Sequence, residues 1–280
     1  MVRSNSAPGG QVDDDMPKLS LDSLTLTDTP PPVAIRAAAE AGFDACSLWV
    51  IPPPLFPSPL LAPAMERECA AILADTGLEV IALEVFDLHS LAGVEAARPL
   101  LDMGARLGGK AALAIHYSNA DHSEAADILA AFAETAASFG LATNLEPVAG
   151  GQSQTLAQAH DLIRASGADV GLCLDPHHLF RAGGAVADIA ALPAGAIRYV
   201  QLCDGPVPQP PELVMSEAVC ERMYPGDGDF SLAAFLRAAP RDVPVGIECP
   251  SLSRAQAGVT ALDQAREGLA KMKAVLAALD

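Results

Sequence analysis

The sequence predicts an α/β chain folded as one (β/α)8 barrel, and three observations carry that expectation. Short β-rich runs alternate with Ala-rich helical stretches, eight of each, at fairly even spacing. The chain has 280 residues, a natural size for one such barrel, and no Pro/Gly/Ser linker divides it. The G-x-G-x-x-G fingerprint of an open dinucleotide-binding sheet is absent after the first run.

The expected strands are residues 18–26, 43–50, 79–87, 110–117, 142–148, 168–174, 197–202 and 243–249. The expected helices are residues 32–41, 63–76, 93–107, 123–139, 155–165, 185–192, 231–239 and 257–279. Hydrophobic residues make up 51% of the chain and aromatics only 4%, so Ala, Leu, Val and Ile must fill the core. Gly42, Gly77, Gly108, Gly140 and Gly167 sit just past helix ends, where a left-handed residue closes the last turn. Ser123, ahead of Glu124, is the expected N-cap of the fourth helix. Residues 1–17 are expected to be a disordered tail and residues 18–280 the barrel domain.

The formal net charge is −18, and no Lys/Arg cluster offsets it. A phosphate backbone needs a basic footprint, so nucleic acid is excluded as a partner. The N-terminus lacks an apolar h-region, and no apolar run is long enough to span a membrane. Cysteines 46, 69, 173, 203, 220 and 249 form no C-x-x-C pair, and several sit in apolar runs. They read as buried free thiols, and the expected location is the cytoplasm.

A barrel's chemistry sits where strands end and βα loops begin. Strand five ends NLEPV, with Glu146 at its tip. Strand six ends LDPHH, with Asp175 followed by His177 and His178. Gln201 lies in strand seven (YVQLCDG), Glu248 ends strand eight (GIECPS), and His116 ends strand four. Three carboxylates crowded into one mouth call for a compensating cation or shared protons. Oxygen donors suit Mg²⁺ or Mn²⁺, and an imidazole among them would admit Co²⁺ or Zn²⁺. Each residue also has a plain alternative: Glu146 as a loop ion-pair partner, Asp175 as a turn former, Gln201 as a core amide, His116 and His178 as packed histidines.

NLEP, LDPHH, VQLCDG, ERMYPGDGDF and GIECPS, in this order, resemble the sugar phosphate isomerase/epimerase family, with its xylose isomerase-like TIM barrel. The resemblance implies a metal held by Glu146, Asp175, Gln201 and Glu248, with Gln201 standing where many relatives have His. It also implies that His178 and Arg222 contact substrate oxygens, Arg222 heading the R-x-x-P-G-x-G motif. His116 is a further candidate for substrate binding. The multi-zinc endonuclease branch of the superfamily is rejected, because its full histidine set is lacking and the charge is wrong.

The implied function is a divalent-metal-dependent isomerase or epimerase on a keto-sugar or related polyol. Glu146 and Glu248 would be its acid–base pair. A dehydratase sharing the same first step is the alternative, and a non-catalytic small-molecule or partner-binding barrel is the second. The apolar stretch 51–63 is expected to form either a homo-oligomer interface or a substrate rim. The Pro-rich loop 204–229 is expected to cover part of the site.

Overall fold

The computed structural model describes residues 17–51, 60–214 and 216–279. Residues 1–16 of the expected tail and 52–59 of the apolar stretch lie outside the described residues. Eight parallel strands close into a barrel in chain order. They are β1 (Leu19–Leu21), β2 (Ala45–Trp49), β3 (Glu79–Asp87), β4 (Ala111–Ile115), β5 (Ala142–Leu145), β6 (Val170–Leu174), β7 (Ile197–Leu202) and β8 (Val245–Ile247). Pairing of Leu19 with Val245 and Leu21 with Ile247 seals the first strand to the last.

The outer layer comprises α1 (Pro31–Ala41), α2 (Glu66–Thr76), α3 (Leu91–Arg106), α4 (His122–Ser138) and α5 (Leu156–Ser166). It continues with α6 (Pro176–Arg181), α7 (Val186–Ala190), α8 (Glu217–Cys220), α9 (Leu232–Ala238), α10 (Leu252–Gln256) and α11 (Ala261–Ala277). Helix α4 shows why these segments coil and dock. Its apolar residues Ala125, Ile128, Leu129, Phe132 and Ala136 recur at helical spacing and are all buried. The Phe132 ring lies 5.2 Å from that of Phe86 on β3.

The expected elements all form, with three differences. Strand one is shorter, because residues 23–26 coil into a 3-10 turn held by Ser23, whose N–H donates to Ser47 Oγ at 2.8 Å. The N-cap of α4 is Asp121, not Ser123: its side chain accepts from the Glu124 N–H. Short helices α6, α8 and α10 escape a periodicity search, since four to six residues carry too little pattern. Gly42, Gly77 and Gly167 do cap α1, α2 and α5 in left-handed conformations.

The main core lies between sheet and helices. A second, small core of Leu113, Cys173 and Tyr199 fills the barrel axis. Gly246 is required there: a Cβ would sit 2.1 Å from Tyr199 Oη and 2.3 Å from Asp22 Oδ2. We expect Gly246→Ala to lower stability by about 1–3 kcal/mol through overpacking, read by urea unfolding. An unchanged midpoint would contradict this packing.

Candidate active site

Glu146 follows β5 directly, and its N–H donates to Ala114 O at 2.8 Å, so the β4–β5 ladder places it. Asp175 ends β6 and N-caps α6, accepting from the His177 N–H at 2.7 Å, with Pro176 at the first helical position. That cap turns α6 so that His178 faces Glu146: its Nε2 lies 3.5 Å from Glu146 Oε1. His178 Nδ1 accepts from the Ala149 N–H at 3.2 Å, which leaves the proton of the neutral ring on Nε2. Glu248 follows β8, its N–H bonded to Leu202 O at 3.0 Å.

Arg222 arrives from the 204–229 loop. Asp204 organises that loop by accepting from the N–H groups of Gly205, Gly226 and Phe230. The Arg222 N–H donates to Pro250 O at 2.8 Å. Its Nη1 donates to both Asp175 Oδ2, at 2.7 Å, and Glu248 Oε2, at 2.8 Å. A second buried ion pair, Arg181 to Glu217 at 2.7 and 2.6 Å, ties the loop to α6. Through Arg222 the loop thus reaches the carboxylates of the mouth.

Burial, then the charges of Glu248 and Asp175, raises the Glu146 carboxyl well above the usual carboxylate range. Burial raises Glu248 to about 7, although Arg222 opposes the shift. Burial lowers His178 to about 4, so its imidazole is neutral near pH 7. For Arg222 burial works against the charge, but Asp175 and Glu248 outweigh it and hold the guanidinium protonated. Charge balance in the mouth thus rests on one cation facing three acids.

Among the described residues Glu146, Asp175 and His178 each offer one ligand atom, all within 4.8 Å of one another. Glu146 Oε1 is buried and has no hydrogen-bond partner. An orphaned acceptor among crowded carboxyls fits a hard divalent cation. Gln201 is fully buried in β7, paired with Gly246 of β8: its Nε2 donates to Asp22 Oδ2 at 3.1 Å and Glu84 Oε1 at 3.3 Å. Its Oε1 accepts from the Cys173 thiol at 3.3 Å. His116 has both ring nitrogens taken by serines, Ser153 and Ser118, each at 3.0 Å.

The sequence reading missed Asp22 and Glu84. Asp22 Oδ1 accepts from Tyr199 Oη at 2.5 Å and Ser20 Oγ at 2.8 Å. Burial raises Asp22 to about 7, against the pull of these donors. Glu84 Oε2 accepts from Ser47 Oγ at 2.6 Å, and burial raises its carboxyl well above the usual range. All six cysteines are free and buried, as expected.

A profile described as xylose isomerase-like TIM barrel matches residues 35–275. The chain belongs to that family. Its closed barrel and the carboxylates at the strand ends agree with the membership. The chain is 33% identical over 231 residues to a 3-dehydroshikimate dehydratase of Pseudomonas aeruginosa, covering 78% of this chain and 35% of the relative. It therefore spans about a third of that relative's length. A solved IOLI protein with a bound zinc atom has the same fold, with a TM-score of 0.80 at 17% identity, covering 94% of this chain and 99% of that one. An L-ribulose 3-epimerase gives a TM-score of 0.69 at 21% identity, covering 94% and 96%. No helix among the described residues is long and apolar enough to cross a membrane.

Proposed function

We propose that the chain is a divalent-metal-dependent enzyme that takes a proton from the carbon beside a carbonyl of a small polyhydroxylated ketone. The outcome we assign is loss of water from a cyclic keto-acid of the 3-dehydroshikimate class. The observation that carries this reading is an asymmetry between the two glutamates. Glu146 Oε1 is unpartnered and faces His178, whereas Glu248 Oε2 is held by Arg222. Epimerisation inverts a carbon and asks for proton carriers on opposite faces of the substrate, but dehydration can run on one carboxyl. The identity to the dehydratase relative supports the same outcome.

Glu146, Asp175, Gln201 and Glu248 would hold the metal. When bound, it supplies Lewis-acid stabilisation of the negative charge that develops on the carbonyl oxygen. Mg²⁺ or Mn²⁺ suits this mainly oxygen donor set. Glu146 takes the proton from carbon, in the ionised form that a bound metal would favour over the protonated one. The same carboxyl then returns that proton to the departing hydroxyl, which leaves as water. His178 Nε2–H donates a hydrogen bond to a substrate oxygen but does not take the proton, because Nδ1 is already bonded to Ala149. Arg222 keeps Asp175 and Glu248 oriented.

Isomerase or epimerase action remains the second reading. Glu248 keeps one oxygen outside the Arg222 bond, and its pKa of about 7 suits a second proton carrier. The test is incubation of Mn²⁺-loaded protein with 3-dehydroshikimate, followed by proton NMR. Dehydration converts it to a dihydroxybenzoate, with one water lost per turnover, and chelation stops the reaction. Hydrogen exchange on a panel of ketoses in D₂O, without water loss, would favour the second reading and contradict the first.

The raised carboxyls also set a pH dependence. Glu146 and Glu248 bind protons more tightly in the folded chain than in the unfolded one. For Glu248 the resulting contribution to the metal-free fold is full below the ordinary carboxylate range and is lost as pH rises through about 7, and Glu146 acts in the same direction. A metal competes with those protons. We expect the rise in Tm on adding Mn²⁺ to be small at pH 5.5 and larger at pH 8, read by thermal unfolding. An increment that does not change with pH would count against a carboxylate metal site.

A further inference from the structure

Below the mouth, the barrel holds a buried polar cluster that the proton chemistry leaves unused: Ser20, Asp22, Ser47, Glu84, Tyr199 and Gln201. Its hydrogen bonds have a direction. Tyr199 and Ser20 donate to Asp22 Oδ1, Ser47 donates to Glu84 Oε2, and Gln201 Nε2 donates to the remaining oxygen of each acid. An ionised carboxyl only accepts, so with both acids ionised the amide end that faces them is its nitrogen. The amide oxygen is left with a single thiol neighbour, Cys173, and a thiol is a weak donor.

We propose that Asp22 and Glu84 are positioning residues that lock the Gln201 side chain with its nitrogen inward, which keeps its oxygen free to ligate the metal. The proposal rests on Gln201 being a ligand, as assigned above. An amide presents a ligating oxygen in only one of its two flips, so a glutamine at this position needs acceptors behind it. Two carboxyls from β3 and the end of β1 supply them. Groups behind a ligand commonly change metal affinity 10- to 100-fold when removed.

Asp22→Asn is the sharpest probe. Tyr199 and Ser20 keep the Asn oxygen occupied, which turns the new amide nitrogen toward Gln201 Nε2. Two donors then face each other, and Gln201 flips to offer its oxygen inward. The experiment titrates metal-free full-length protein with Mn²⁺ and follows free Mn²⁺ by electron paramagnetic resonance. It uses wild type, Asp22→Asn, Glu84→Gln, Gln201→Met and the Asp22→Asn/Gln201→Met pair. Circular dichroism and thermal unfolding in chelator report the fold of each.

We expect Asp22→Asn to weaken Mn²⁺ binding about 10- to 100-fold, Glu84→Gln to weaken it in the same direction, and the double variant to bind no worse than Gln201→Met. Wild-type affinity in both Asp22→Asn and Glu84→Gln would overturn the proposal. So would a loss from Asp22→Asn that recurs in full on top of Gln201→Met, since that marks general damage. If Asp22→Asn fails to fold, Glu84→Gln and its pair with Gln201→Met decide by the same criteria. Wild-type affinity in Gln201→Met would instead remove the ligand assignment itself, and the positioning role with it.

Discussion

Glu146→Gln lowers turnover on a proven substrate by a factor on the order of 10²–10⁴, the usual contribution of a positioned acid–base group. Gln has the same shape but removes the proton carrier, together with one carboxylate ligand. The fold should survive, because the buried carboxyl already sits uncomfortably: burial and the charges of Glu248 and Asp175 all favour its neutral form. Thermal unfolding in chelator should therefore give a Tm equal to or above wild type. Glu248→Gln should behave differently. If Glu248 serves as a ligand, its loss weakens the metal, and turnover recovers in part at high Mn²⁺. In the Glu146 variant high Mn²⁺ refills the site but does not restore turnover, because the proton carrier is gone as well as a ligand. Near-wild-type rates in Glu146→Gln would sink the mechanism. Equal and unrecovered losses in both variants would favour a two-base isomerase or epimerase.

The second large effect is on stability. Arg222→Met leaves Asp175 and Glu248 buried and facing each other without their shared cation. Breaking a buried ion pair from one side typically costs about 3–5 kcal/mol. We expect a loss of that order in urea unfolding at pH 8 in chelator. Saturating Mn²⁺ should shrink the deficit, since a bound cation neutralises the same oxygens. A deficit that is equal with and without Mn²⁺ would separate Arg222 from the metal site.

Much of this arrangement is legible in the sequence, for reasons that differ by residue. The alternation of β-rich and Ala-rich runs encodes the barrel, because a parallel strand can follow another only through a crossover. Glu146, Asp175 and Glu248 stand out because each ends an apolar run, where a charge has no packing role. The structure brings Glu146, Asp175 and His178 together, and joins Asp175 to Glu248 through Arg222. Arg222 itself carries no local signal. Only its family motif marks it, since the contact depends on how a long loop folds back over the mouth. Glu84 was hidden by the irregular register of β3, which shifts against β4 between Leu83 and Phe86 and breaks simple alternation. Asp22 lies in the middle of the expected strand 18–26, whose second half coils away, so its inward aim could not be read from the pattern. Both could have been suspected as acids embedded among apolar neighbours.

His116 shows the opposite case. Its place at the end of strand four suggested a substrate contact, yet Ser153 and Ser118 occupy both ring nitrogens. A role on substrate is therefore still a proposal for it, one that would require those serine bonds to open.

The central claim is that Glu146, Asp175, Gln201 and Glu248 gather one divalent ion at the barrel mouth. Mn²⁺ titration of metal-free wild type beside Asp175→Asn tests it most directly. The account predicts one tight Mn²⁺ site per chain in wild type and its loss in Asp175→Asn, with the secondary structure of both unchanged. Absence of a tight site in wild type, or an undiminished site in Asp175→Asn, would contradict it.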